Sequence, residues 1–184
     1  MSWKLYRWIW QLRSPLHVGH LPAGAVNRTR LYIPARAFWG ALTAELARTG
    51  AEDFPDYQNT GQIVSQQCRF SYLFPAQQLN GHWRAWLPRF ECGQGLVWRR
   101  EDVKDANYDM SDRGFRSWLL TTRPGTAIDP HSDTATEGTL REYEVVKPWS
   151  HWGDKGEPRP VAFAGYVMLN DDTAQDIFDI PELL

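Results

Sequence analysis

The chain of 184 residues predicts an α+β fold, an antiparallel sheet with helices on one face and long loop or hairpin insertions. Three observations carry this. Aromatic and β-branched runs at period two recur along the chain, which marks strands. Two segments between them space their apolar residues as helices do. The resulting order, strand, helix, strands, helix, strands, fits a split β-α-β, ferredoxin-like arrangement.

Trp3 to Leu12 sets Trp3, Leu5 and Ile9 on one side and Tyr6, Trp8, Trp10 and Leu12 on the other. That alternation predicts a strand with both faces covered, ended by Ser14-Pro15. A loop then runs to the short extended piece "RLYIP". Pro34 suits the first turn of a helix, in which Phe38, Ala41, Leu42, Glu45 and Leu46 share helical spacing before Gly50. Residues 51–61 are turn-rich, and "QIVSQQ" allows a helical turn. "CRFSYLFPA" and "HWRAWLPRF" predict strands paired across "QQLNG", and "GQG" at 93–95 predicts a turn. "SDRGFRSWLLTT" predicts a second helix with Ser111 as its cap, weakened by Gly114. Residues 123–139 are polar, turn-forming and too long for a simple connection, so a hairpin or thumb insertion is expected there within a single domain, 1–184. "LREYEVVKPW" and "RPVAFAGYVML" predict strands around the polar tip "SHWGDKGEP", and "TAQDIFDIPELL" predicts the start of a helix.

Net charge is −2, but it is unevenly spread. Residues 1–50 hold seven Lys and Arg against Glu45 alone, while residues 51–184 hold thirteen against twenty-one acids. Such asymmetry points to an anionic partner for the first part, the competing reading being a solvated basic face. Ten tryptophans exceed what a core of this size needs, which points to contact surfaces for bases or protein partners. Cys68 and Cys92 have no CxxC spacing, so free thiols in a reducing compartment are expected. With no signal-peptide pattern and no long apolar run, the sequence reads as cytoplasmic, without a membrane partner.

The segment Ser14 to Leu42 holds His17, His20, Arg28, Arg30 and Arg36, and no carboxylate. Leu16-His17-Val18-Gly19, a variable loop, then Tyr32-Ile33-Pro34 leading into Gly40-Ala41-Leu42, resembles the RAMP superfamily of CRISPR-associated proteins. "GTAIDPHSDTATEGTLREYE" resembles the hairpin of backbone-type members in type III systems. The resemblance implies an RRM-like RAMP domain. It further implies a subunit of a type III CRISPR ribonucleoprotein effector in antiviral defence, with guide RNA, target RNA and other effector subunits as partners. Ala35, Arg36 and Ala37 stand where the family has Gly-Ser-Ser, and Trp39 where a lysine is common, which leaves Arg36 as the substitute phosphate contact.

Several readings of single residues follow. A helix N-terminus attracts phosphate, and Arg28, Arg30 and Arg36 would surround it, with Gly19 and Gly24 permitting close backbone approach. Arg123, at the base of the hairpin, is a further RNA contact. His17 is expected at the RNA surface; His17 and His20 are also the candidates for general acid-base cleavage, which would make the chain a metal-independent guide-processing endoribonuclease. A third reading is a structural capping subunit with little RNA contact. Asp129 and Asp133 read as thumb residues or as turn chemistry, and Trp149, His151 and Trp152 as a stacking or packing cluster. Because residues 13–44 lack Asp and Glu, target slicing from this loop is not expected. Neither is a metal or a cofactor.

Overall fold

The computed structural model describes residues 2–23, 26–51, 53–136, 138–153 and 156–170. Among these residues twelve strands and three α-helices follow in the order β1 (Trp3–Gln11), β2 (Gly19–Ala23), β3 (Val26–Thr29), α1 (Ala35–Thr49), α2 (Tyr57–Gln67), β4 (Cys68–Phe70), β5 (Phe74–Leu79), β6 (His82–Glu91), β7 (Gly95–Arg100), β8 (Met110–Ser111), α3 (Asp112–Leu119), β9 (Leu120–Gly125), β10 (Arg141–Val146), β11 (Trp149–Ser150) and β12 (Arg159–Asn170). The large sheet has the strand order β1-β12-β5-β6-β7-β8, and a second sheet has the order β2-β3-β10-β9. The fold is α+β and ferredoxin-like, RRM-like, with long insertions, as the element order predicts. The expected C-terminal helix, "TAQDIFDIPELL", and Gly24 lie outside the described residues.

The chain divides into two compact units. The first comprises Met1–Ile9, Ile33–Leu73 and Ala164–Leu184. Its core is Leu42 of α1, Val64 of α2, Cys68 of β4, and Val167 and Leu169 of β12, with Trp8, Trp39, Leu46 and Phe70 packed around them. Strand β4 pairs antiparallel with β12, Val167 opposite Phe70 and Leu169 opposite Cys68, so these inward residues share one face. Burial pushes the Cys68 thiol up to about 11, which makes it an apolar filler rather than a nucleophile. Helix α2 is a full element where the sequence allowed only a turn. Its polar, glycine-containing run has weak propensity, but Asp56 accepts the Asn59 amide at 2.9 Å and Val64 is buried.

Strand β1 corrects an expectation. Its period is two, but its faces are not both covered: Trp3, Leu5, Tyr6 and Ile9 are all exposed. The reason is position, since β1 ends the strand order and the α1–α2 core takes mainly Trp8 from it.

The second unit comprises Trp10–Tyr32 and Phe74–Phe163. The β5–β6 hairpin turns at Asn80-Gly81, both with positive φ (49° and 78°), the type I′ turn that Asn-Gly favours. Strand β7, which the sequence reading passed over, pairs with β6 from Trp86↔Arg100 to Glu91↔Gly95, around the expected turn. Four of the ten tryptophans pack together in this unit. Trp98 stacks on Phe115 with ring centroids 4.5 Å apart, and Trp86, Trp118 and Trp152 complete the cluster. Trp152 is therefore buried core, while Trp149 and His151 are exposed. Helix α3 has the expected cap, the Ser111 hydroxyl accepting the Gly114 amide at 3.2 Å. It stops at Leu119, because Leu120–Gly125 pairs with β10 instead.

Candidate nucleic-acid interface

The segment expected as a loop is a two-stranded ribbon. Strands β2 and β3 pair antiparallel, with Gly19 opposite Thr29 and a register shift between Gly19 and Pro22. Strand β3 then pairs parallel with β10, and β10 antiparallel with β9. No local pattern announces this partner, because β10 lies more than a hundred residues further along the chain.

Register decides what the small sheet displays. Tyr143 of β10 is opposite Asn27 of β3 on one side and Arg123 of β9 on the other. Directly opposed residues project to the same face, so Asn27, Tyr143 and Arg123 form a row across three strands. Just before β2, the His17 ring stands edge-on to Tyr143 at 5.7 Å. His17 Nδ1 lies 2.8 Å from the Glu144 carbonyl, and since a carbonyl only accepts, Nδ1 carries the proton and donates. His17, Arg123 and Tyr143 are exposed, so a cation, an imidazole and a phenol ring converge at the surface.

Thr29 and Glu144 hold the sheet together. Thr29 is fully buried; its Oγ1 accepts the Val18 amide at 2.8 Å, and its own amide donates to Glu144 Oε2 at 3.0 Å. The same carboxylate oxygen lies 3.8 Å from Arg116, whose Nε donates to Asp112 at 2.9 Å. The acid-free segment thus receives a carboxylate from β10. Sequence reasoning missed Glu144, and the half-buried acid in "REYEVV" was the available signal.

The expected site residues fall in different places. Arg28 is exposed on β3. Arg30 is half-buried, donating through Nε to the Gly19 carbonyl at 3.1 Å and through a terminal nitrogen to the Tyr32 hydroxyl at 2.8 Å. His20 is exposed on β2. Gly19 has no need to be glycine for packing, because an added Cβ would meet only His17 Nε2, at 3.9 Å. Arg36 belongs to the other compact unit, exposed in the first turn of α1. That helix has no side-chain cap and no acid in its first turn, features an anion would favour.

Residues 126–140 connect β9 to β10 as a hairpin-like loop, with Ile128 bridged to Ala135. The Asp129 carboxylate accepts the His131 amide at 2.9 Å, and these local bonds, the His131 amide first, hold it below the usual carboxylate range. Asp133 adopts φ 53°, so both acids serve the turn. Among the described residues no three His, Cys, Asp or Glu gather to hold a metal ion. Among the same residues no helix is long and apolar enough to cross a membrane.

No protein-family model and no curated protein matches this chain. Among similar solved structures is a chain of the type III-B Cmr-beta, seen by cryo-electron microscopy bound to cognate target RNA and AMPPnP, with a TM-score of 0.51 and 13% identity. The match covers 94% of this chain and 56% of that one, so this chain spans little more than half the length of that neighbour. At this identity the likeness is one of fold.

Proposed function

We propose that the chain is a non-catalytic RNA-binding subunit of a type III-like CRISPR ribonucleoprotein effector in the cytoplasm. It holds guide RNA, meets target RNA through the complex, and packs against neighbouring subunits. The observation that carries this reading is the exposed row of His17, Tyr143 and Arg123, with Arg28 and Arg30 on the adjoining ribbon. Cations beside an aromatic ring suit phosphates and bases together. The two RAMP-like motifs support it, because the first runs through the ribbon and the second through the loop of residues 126–140. The fold shared with the Cmr-beta chain supports it as well. In this reading that loop is the thumb, and Arg36 adds a phosphate contact at α1.

Arg28→Ala, Arg30→Ala and Arg123→Ala should each weaken RNA binding with little regard to sequence. The triple variant should flatten the dependence of log affinity on log salt by about 2, at about 0.7 per phosphate on single strands. An unchanged slope would reduce the arginines to surface dressing. One observation favours a second reading: fixing the His17 proton on Nδ1 leaves Nε2 as an acceptor, the form a general base requires. Guide processing by His17 or His20 predicts cleavage that survives EDTA.

A further inference from the structure

In the second unit, the small sheet displays one polar atom that no described residue uses. His17 donates from Nδ1 to the Glu144 carbonyl at 2.8 Å, so the neutral ring presents Nε2 as an acceptor. Among the described residues no group donates to Nε2. A Cβ at Gly19 would stand 3.9 Å from it, and glycine supplies none. Both residues are exposed, which leaves this edge of the imidazole open to a ligand.

The surroundings of that acceptor sort the groups of a nucleotide. Arg123 lies directly opposite Tyr143, and Arg141, two residues before Tyr143 on β10, projects to the same face. Both arginines are exposed, and neither is paired with a carboxylate among the described residues. The Tyr143 ring lies against Gly125, where a Cβ would come 3.1 Å from Cε2, so glycine makes room for it. The His17 ring meets the same phenol edge-on, 5.7 Å away. Phosphate oxygens suit the two guanidiniums but bring no proton to Nε2. Single-stranded nucleic acid has two kinds of donor to offer an acceptor, the amino and imino groups of its bases and the ribose 2′-hydroxyl. Base donors change with sequence. The hydroxyl is present at every position of RNA and absent from DNA. A subunit that holds RNA with little regard to sequence has a constant partner for Nε2 only in the hydroxyl.

We propose that His17 is the residue through which this chain selects ribose over deoxyribose. Its Nε2 accepts a hydrogen bond from the 2′-hydroxyl of a nucleotide whose phosphates lie at Arg123 and Arg141. The proposal rests on the RNA-holding reading above and deepens it, adding to a charge attraction that RNA and DNA share a contact that only RNA makes.

The test compares single-stranded RNA, DNA and 2′-O-methyl RNA of one sequence, binding to the full chain at fixed salt. RNA should bind tightest, by roughly three- to tenfold, the worth of one hydrogen bond. The methylated strand keeps the ribose oxygen but loses its proton, and should bind like DNA. His17→Ala should bring RNA down to the DNA level and leave DNA affinity where it was. His17→Gln, whose side-chain carbonyl is again an acceptor, should restore part of the preference. Arg123→Ala should weaken all three strands alike, so the ratio separates selection from charge. If His17→Ala lowers RNA and DNA affinity together, the histidine merely supports the small sheet and the proposal falls. It falls too if the wild-type chain binds RNA and DNA equally, or binds the methylated strand as well as RNA; the holding reading then stands. A chain that binds none of the three overturns both.

Discussion

At Gly153 the backbone has φ +79°, and an added Cβ would stand 2.2 Å from Cζ2 of Trp118. Two penalties coincide, left-handed backbone and a clash with a ring of the aromatic core. Gly153→Ala should therefore destabilise the protein by about 2–4 kcal/mol, read as a lowered midpoint in urea at unchanged slope. The pair formed by Arg99 and Asp109 is the other residue-scale device. Arg99 donates from Nε to Oδ1 at 2.5 Å and from a terminal nitrogen to Oδ2 at 2.6 Å, and Glu91 lies 3.3 Å away. The Arg99 hydrogen bonds hold the Asp109 carboxyl below its usual range, against the burial that opposes them. A depressed folded-state value means stability present above the unfolded carboxyl range, near 3.9, and lost as pH falls through the folded value. The melting temperatures of wild type and Asp109→Asn should thus differ at neutral pH and converge in acid; a constant gap would mean that charge is not involved. Neither device was legible beforehand. Gly153 looked like one glycine in a polar tip, and Arg99 sits in a strand whose partner Asp109 lies beyond an irregular stretch.

The elements that local patterns specify were readable, and those set by distant partners were not. Asn80-Gly81 announced its hairpin, Ser111 its cap and Pro34 its helix start, because each acts through neighbours in sequence. The ribbon of β2 and β3 failed that test, since Pro, Gly and Arg break its alternation and β10 supplies its pairing. The same cause hid the candidate site: Arg28, Arg30 and Arg123 were legible as cations, but only register brings Arg123 beside Tyr143 and Asn27. Glu144 joins these strands through two atoms, its carbonyl to His17 and its carboxylate to the Thr29 amide. Glu144→Ala leaves that buried amide without an acceptor, at a cost of about 1–3 kcal/mol. Amide hydrogen exchange at Thr29 should quicken well before the strands of the large sheet respond. Equal protection in the variant would mean that the carboxylate is dispensable to the ribbon.

For the molecule as a whole, the question that separates the readings is whether RNA is held or cut. Under the proposed function the seven basic residues of 1–50, set against Glu45 alone, would suit a polyanion, yet cutting also demands a group aimed at the scissile phosphate. Two carboxylates near the ribbon are engaged, Glu144 accepting the Thr29 amide and facing Arg116, and Asp112 pairing with Arg116, while Glu142, opposite Val26, is exposed. Asp129 is engaged as well, closing its own turn with the His131 amide. His17 keeps one nitrogen tied to the Glu144 carbonyl, a bond that orients the ring against Tyr143 whether or not RNA is cut. A holder therefore predicts that RNA incubated with the chain stays intact between pH 6 and pH 8 (about neutrality, where an imidazole base would act), with or without magnesium. His17→Ala/His20→Ala should lower RNA affinity or loosen the small sheet and change no product. Site-specific cleavage that persists in EDTA and vanishes in the double histidine variant would make the chain a processing nuclease. Magnesium-dependent cleavage that Asp129→Asn abolishes would place the chemistry in the loop of residues 126–140 instead. Intact RNA in every arm, with binding that follows salt, leaves the holder as the reading that accounts for the exposed row of His17, Tyr143 and Arg123.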